Sequence, residues 1–338
     1  MDYPDILSKL VARTDLSEDE TFALFDDLFH GKLTDAQIGA FLAALSAKGE
    51  TVAEIAAAAR AMRQAAAKIS SLRRNTVDTV GTGGDHGITF NVSTTTAFVA
   101  AGAGAVVAKH GNRSSSGRTG SADCLEALGL NFACEPEVME EALNEIGICF
   151  LFAQTFHKAM RFVGPARKQL GVRTVFNLLG PLTNPAGART QLIGVYAPEL
   201  TEVYAGVFKR LGSTHALVVH GSDGMDEITV TGPTRCSELR DGLVRTYDID
   251  PEPLFGSYAP LAELEGGDAK ENADIATGIL TGRIRGPKRD IVLLNAAGTL
   301  LAADLAPDLA AGVKMAAEAI DSGAAYEKLR RLVEISNS

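Results

Sequence analysis

The run Lys109-His110-Gly111-Asn112-Arg113-Ser114-Ser115-Ser116-Gly117-Arg118-Thr119-Gly120-Ser121-Ala122 gathers three cations, three glycines and five hydroxyls without one acid, in a chain of formal net charge −10. A flexible backbone can turn N–H groups toward an anion, hydroxyls donate to it, and the cations supply charge. That combination suits a phosphate or pyrophosphate. A solvated connector is an equally open reading of this stretch alone. The balance is tipped by a second glycine-rich turn upstream, Gly81-Thr82-Gly83-Gly84-Asp85.

Further residues are candidates for the same chemistry. Asn91-Val92-Ser93-Thr94 opens an expected helix. Ser93 or a neighbour could cap it, and the same N-terminus attracts anions through its free N–H groups and dipole. A serine hydroxyl beside a diphosphate also suits magnesium. Asp226-Glu227 lies in a glycine-containing loop, where adjacent carboxylates fit a hard cation that touches substrate phosphates; a solvated acidic turn is the competing reading. Arg167 could hold a planar carboxylate with its fork, or stand on a helix surface. Among the histidines His110, inside the anion loop, is the strongest candidate, and His157 could be a cap or a ligand contact. No zinc-type spacing, Gly-x-Ser-x-Gly elbow or Cys/His pair occurs. Gly81–Asp85 lacks both the Gly-x-Gly-x-x-Gly spacing and the Walker ending, which weakens a dinucleotide or nucleoside-triphosphate reading.

The elements that must position these residues follow from periodicity. Three capping-box spacings in the first 70 residues, Ser17 to Glu20, Thr34 to Gln37 and Thr51 to Glu54, each lead into an apolar helical stripe. Beyond a polar linker near Ser70–Asn75 the pattern changes to strands alternating with helices. Strands are expected at 76–80, 105–108, 148–152, 191–196 and 216–220, with helices at 93–101 and after the basic loop. The fold class is therefore α/β: a small all-helical N-terminal domain plus a larger α/β domain with a mostly parallel central sheet flanked by helices. The expected division is 1–72 helical, completed by about 157–182, with 73–156 and 183–338 forming the α/β domain. Ligands in such sheets sit at the C-terminal strand ends, where both glycine-rich loops would lie.

Composition narrows the partners. Apolar residues make up 46% and charged residues 22% of 338, and the pI is near 5.2. That profile fits a soluble globular protein and argues against general nucleic-acid binding. Tryptophan is absent and aromatics are only 6%, so a stacking platform for single strands is not expected. No apolar run spans a bilayer, no secretory pattern opens the chain, and the four cysteines are scattered. The expected setting is cytoplasmic, with reduced thiols.

Taken together, Gly81–Asp85, Asn91–Thr94, Lys109–Arg113, Gly120–Asp123, Gly171–Thr174, Phe176–Leu182, Asp226-Glu227 and Asn295-Ala296-Ala297 resemble the anthranilate phosphoribosyltransferase family, of the nucleoside phosphorylase-like phosphoribosyltransferases, over nearly the whole chain. The resemblance implies transfer of a phosphoribosyl group from 5-phosphoribosyl 1-pyrophosphate to the amine of anthranilate, in tryptophan biosynthesis, with Mg2+ as cofactor. It implies that Gly81, Gly84, Asp85, Thr89, Asn91, Val92, Ser93, Thr94, Lys109, His110, Gly111, Asn112, Arg113, Ser114, Ser115, Ser116, Gly117 and Ser121 hold the phosphoribosyl substrate. Gly81, Asn112 and Arg167 would contact anthranilate, and Ser93, Asp226 and Glu227 would hold the metal. No acid–base residue is implied; Lys109 and Asp85 would act electrostatically. The family also implies a homodimer through the helical domain. The chain departs from the family pattern at Arg118, where lysine is frequent, and at Phe156, where a second histidine often precedes His157.

Two other functions remain open on sequence grounds. A pyrimidine nucleoside phosphorylase of the same fold would also carry a glycine-rich turn and a basic Ser/Gly loop, although Asn91–Thr94 and Asp226-Glu227 favour the transferase. A non-catalytic paralogue binding nucleic acid is opposed by the acidic pI and by Asn112 and Arg167.

Overall fold

The computed structural model describes residues 2–73, 75–83, 89–114 and 119–338. Gly84, Asp85, Ser115, Ser116 and Gly117, all expected to bind substrate, lie outside the described residues, as do His86 and Arg118.

Four helices open the chain: Tyr3–Val11, Glu18–Phe29, Asp35–Lys48 and Val52–Ala65. The last three carry reciprocal capping boxes at Ser17/Glu20, Thr34/Gln37 and Thr51/Glu54, the pairs their spacing predicts. Each box satisfies N–H groups that the first helical turn leaves without partners.

A seven-stranded sheet follows, built from β1 (Thr76–Gly81), β2 (Val106–Gly111), β3 (Ile148–Phe152), β4 (Thr190–Gly194), β5 (His215–Gly221), β6 (Thr234–Arg240) and β7 (Leu243–Ile249). Their order is β3-β2-β1-β4-β5-β6-β7. The first five are parallel; β6 and β7 are antiparallel. The strand order reverses direction at β1 and β4, the position in an open parallel sheet where a crevice forms at the C-terminal ends.

Alternating side chains feed two cores. On β5, Leu217 and Val219 enter one cluster with the helices Val92–Gly102, Pro287–Ala302, Leu309–Asp321 and Ala324–Ser336. Ala216 and Val218 enter the other, with Phe25, Phe41, Tyr204 and Phe208. The period of two in a strand thus sandwiches the sheet between helical layers. The second cluster also includes Val163, Ala166, Val175, Phe176, Leu179 and Leu182, which pack with the N-terminal helices.

The structure corrects one boundary and adds detail elsewhere. The second strand runs to Gly111, so Lys109 and His110 are strand residues rather than loop residues. The stretch 157–182, expected to complete the helical domain, is made of short helical turns: a 3-10 turn at Lys158–Phe162, a helix at Gly164–Leu170 that opens after Val163, and a short helix at Phe176–Leu179 beyond Gly171, whose φ is +63°. The β6–β7 hairpin was not foreseen; it turns at Asp241-Gly242, both at positive φ.

Candidate functional site at the strand ends

Strands β1, β2, β4 and β5 all end in glycine: Gly81, Gly111, Gly194 and Gly221. Gly81 and Gly194 are paired in register. A β-carbon on Gly81 would lie 2.1 Å from Asp226 Oδ2, and one on Gly194 would lie 1.5 Å from the Asp226 carbonyl oxygen. The missing side chains are what let the loop after β5 lie directly on these two strand ends. Asp226 Oδ2 accepts from the Gly83 N–H at 2.8 Å, which ties that loop to the first glycine-rich turn. Gly194 belongs to none of the sequence motifs, although its placement at a strand end repeats that of Gly81.

Glu227 reaches the neighbouring helix. Its Oε1 accepts from the backbone N–H of Ser93, 3.1 Å away, in the first turn of Val92–Gly102. Ser93 therefore does not cap this helix with its own hydroxyl. Asn91 is the N-cap residue and makes no side-chain cap bond; a carboxylate from another loop takes the N–H instead. The Asn91 amide donates to the Thr119 carbonyl at 3.2 Å and its oxygen accepts from Asn272 at 3.0 Å, so the helix start is joined to the far end of the basic loop. Val92 and Thr94 are buried beneath it, and Thr89 bridges to Glu265.

Lys109 is 3% exposed. Its Nζ donates to the Thr79 carbonyl at 2.7 Å and to Ser93 Oγ at 3.3 Å. Burial pulls its pKa down, and the charges of Asp78, Glu227 and Asp226 oppose that. Asp78, fully buried beside it, accepts from the His110 N–H at 3.0 Å and from the Asn184 amide at 2.7 Å. Burial pushes the Asp78 carboxyl up to about 6, against those hydrogen bonds and the Lys109 charge. Sequence reading missed Asp78 and Asn184, whose roles depend on contacts between distant segments.

The His110 ring faces His157 with 5.1 Å between centroids, and its Nδ1 lies 3.1 Å from the Gly180 carbonyl. Burial, with the neighbouring His157, lowers His110 to about 3; burial lowers His157 to about 4. Both rings are therefore neutral near pH 7. Phe156, at the departure from the family pattern, is buried in the core.

The basic loop is less cationic than its sequence suggests. Arg113 forms ion pairs with Asp123 at 2.7 Å and Glu126 at 2.8 Å, and its guanidinium lies over the Phe132 ring. Asp123 also accepts from the N–H groups of Ser114 and Gly120. Ser121 Oγ donates to the Asn112 carbonyl at 3.1 Å, directly above Gly111, where a β-carbon would be 2.3 Å from that hydroxyl. Arg167 is half-buried with its guanidinium 5.3 Å from the Phe176 ring centroid, and burial lowers its pKa.

The structure thus brings Gly81, Ser93, Lys109, Asp226 and Glu227 together at one sheet edge, with Asn91 and the described ends of the basic loop beside them. A buried cation, a helix N-terminus and two carboxylates within one crevice can bind a polyanion together with a hard cation.

Comparison with known proteins agrees with this architecture. Residues 4–66 match the family described as Glycosyl transferase family, helical bundle domain, and residues 73–326 match Glycosyl transferase family, a/b domain. The anthranilate phosphoribosyltransferase of Desulfosudis oleivorans is 56% identical over 336 residues, covering 99% of each chain. The crystal structure of anthranilate phosphoribosyltransferase from Thermus thermophilus superposes with a TM-score of 0.94 at 45% identity, covering 100% of both chains. The Saccharomyces cerevisiae enzyme in complex with PRPP and Mg gives a TM-score of 0.89 at 28% identity, covering 99% of this chain and 98% of that one.

Proposed function

We infer the working of the site from one premise: this chain belongs to the anthranilate phosphoribosyltransferase family of glycosyl transferases. It is a pentosyltransferase. It moves the 5-phosphoribosyl group of 5-phosphoribosyl 1-pyrophosphate to the amine of anthranilate, releases pyrophosphate, and serves tryptophan biosynthesis with Mg2+ as cofactor.

The donor set fits magnesium. Asp226 and Glu227 offer carboxylate oxygens and Ser93 a hydroxyl, all hard ligands, beside the helix N-terminus of Val92–Gly102. Among the described residues no group of three His, Cys, Asp or Glu forms a closed cation cage. Bound there, magnesium neutralises charge on the departing pyrophosphate.

The chain's own residues do the rest. Lys109, held in place by Thr79 and Ser93, supplies a positive charge at a buried position where pyrophosphate charge develops. Backbone N–H groups of the two glycine-rich turns, with Asn91, Val92, Ser93, Thr94, Thr89, His110, Gly111, Asn112, Arg113, Ser114 and Ser121, line the phosphoribosyl site in this reading. Gly84, Asp85, Ser115, Ser116 and Gly117 enter it on the resemblance alone. Arg113 serves mainly by holding the loop, since its charge is matched by Asp123 and Glu126. Asn112 and Arg167, with Gly81, face anthranilate. The ribose carbon gains oxocarbenium character as its bond to pyrophosphate lengthens. The aromatic amine is already a neutral nucleophile, so positioning suffices and no base is required. The neutral pair His110 and His157 is consistent with a site that carries no proton relay.

The same reading divides the chain into a helical domain, 1–72 with about 157–182, and an α/β domain, 73–156 with 183–338. The shared apolar cluster of Phe25, Phe41, Val175 and Phe176 supports that division. It places a homodimer interface on the helical domain and the protein in the cytoplasm. No described helix is long and apolar enough to cross a membrane.

The observation that carries this reading is the meeting of Lys109, Ser93, Asp226 and Glu227 at the glycine-floored ends of β1 and β4. The test is anthranilate fluorescence in the presence of 5-phosphoribosyl 1-pyrophosphate. Loss of signal with magnesium, abolished by a chelator, is expected. Turnover of thymidine and phosphate instead would overturn the reading.

A further inference from the structure

Asn295 lies in the middle of the helix Pro287–Ala302, fully buried and without a role in binding either substrate in the reading above. Its side chain grips the residue that follows the metal-site carboxylates. Asn295 Oδ1 accepts from the Ile228 N–H at 2.9 Å. Its Nδ2 donates to the Ile228 carbonyl at 2.8 Å and to the Ile291 carbonyl, also at 2.8 Å. One amide thus satisfies both backbone groups of Ile228 and one carbonyl of its own helix. Only an amide offers an acceptor and two donors in that arrangement.

The fit around this clamp is close. Gly298 sits one turn further along the same helix, and a β-carbon there would be 2.6 Å from Ile228 Cδ1. Ile228 itself is fully buried. The two sides of the loop are fixed separately. Asp223 accepts from the hydroxyls of Thr229 and Thr231 and from the Met225 N–H. On the strand side, Asp226 rests on Gly81 and Gly194. Between those anchors the backbone that carries Glu227 is held through Ile228.

We propose that Asn295 is a positioning residue for the metal site: by clamping Ile228 it sets the direction in which Asp226 and Glu227 present their carboxylates to the cation and to the N-terminus of Val92–Gly102. Gly298 is its companion, giving the room that lets Ile228 seat against the helix. The proposal rests on the reading of Asp226 and Glu227 as metal-holding residues, and its test separates the two.

The probe is manganese(II), titrated into the full-length protein with pyrophosphate present and followed by the signal of the free ion in electron paramagnetic resonance. Asn295→Asp keeps the acceptor for the Ile228 N–H and loses the donors. Gly298→Ala changes none of the hydrogen-bonding groups and presses on Ile228 Cδ1, which must shift. Asp226→Asn with Glu227→Gln is the control. Asn295→Asp is expected to weaken manganese binding about tenfold and Gly298→Ala about threefold, with the anthranilate KM unchanged in both. Backbone amides from Glu227 to Thr229 should exchange hydrogen faster in both variants while the rest of the sheet stays protected. Should the control variant weaken binding while folded Asn295→Asp and Gly298→Ala bind as the parent does, the positioning role is overturned. A control variant that binds manganese like the parent overturns the metal-site reading, and the positioning role with it. If Asn295→Asp does not fold, Gly298→Ala decides alone, and an unchanged affinity in it counts against the proposal.

Discussion

Two of the molecule's buried charged side chains lie under opposite regimes. In the helical layer Glu54 is saturated. It accepts from the backbone N–H groups of Leu16 and Thr51, from the Thr51 hydroxyl, and from Lys48, whose other donors go to Asp15 and the Gly49 carbonyl. At the strand ends Lys109 is equally buried, yet only the Thr79 carbonyl and Ser93 Oγ accept from it among the described residues. An ammonium has three donors, so one finds no acceptor among the described residues. A buried charge that the protein satisfies completely is architecture. One that it desolvates and leaves short of partners is poised to act on something that arrives.

The largest expected effect breaks the comparison on the side of the site. Lys109→Met keeps the length and removes the charge. It should lower kcat/KM by about 10²–10³-fold, the magnitude seen when one preorganised electrostatic donor is lost. Stability should fall less than in a completely saturated pair, because relief from burying a cation offsets part of what is lost when Thr79 loses its donor and Asp78 its facing charge. Steady-state kinetics and a urea melt on one preparation check both halves. Near-parental kinetics with a large fall in stability would put Lys109 in the same class as Glu54.

The helical layer should respond in the reverse way. Glu54→Ala leaves one buried and one part-buried N–H group without acceptors and takes one of two carboxylates from Lys48. It should cost about 3 kcal/mol, at the low end for a broken buried pair because Asp15 still faces Lys48. Catalysis by the folded fraction should be unchanged. A drop in kcat at a temperature well below the melt would show that the two regions are coupled.

The same contrast explains what could be read before the fold was known. Glu54 was legible as the third residue of a capping box, because its partner Thr51 is three residues away. Lys109 was legible as a cation among glycines and hydroxyls. Its regime was not, because its acceptor Thr79 and the charge of Asp78 come from β1, and Asn184, which bonds Asp78, comes from a third segment. The floor made by Gly194 and the clamp made by Asn295 were invisible for the same reason: each is defined by a loop distant in sequence. The β6–β7 hairpin was missed for a different reason. Its Asp241-Gly242 signal was present, but the flanking strands are polar and β7 is almost wholly exposed, so alternation was weak.

Arg167 sharpens the comparison at intermediate magnitude. Its guanidinium is half-buried against the Phe176 ring and pairs with no described carboxylate. It therefore sits in the Lys109 class, on the border of the helical layer. Arg167→Ala should raise the anthranilate KM about tenfold and leave kcat within about twofold, since it would remove binding common to the ground and transition states. An effect confined to the KM of the phosphoribosyl donor would move Arg167 to the other substrate.

The smallest effect is a pH dependence, and its sign follows from which form each buried group prefers. His110 and His157 stay neutral in the fold down to about 3 and 4, against an ordinary 6.5. Their contribution to stability is complete above 6.5 and is lost as pH falls, because the unfolded chain takes up protons that the fold refuses. Asp78 acts the other way. It titrates near 6 in the fold against 3.8 when unfolded, so between those values the folded chain binds the extra proton and acid favours it. Two histidines oppose one aspartate, and the net slope between about pH 6 and 4 should be a modest loss of stability toward acid. Replacing both histidines by glutamine should remove that loss and let the Asp78 contribution appear as a gain relative to the parent. Urea midpoints at about pH 6 and pH 4.5 for the two proteins are enough. Equal shifts in both would mean that the histidine pair is solvated or bonded in a way that leaves its protonation unchanged on unfolding, and the strand-end site would then be less dry than its contacts indicate.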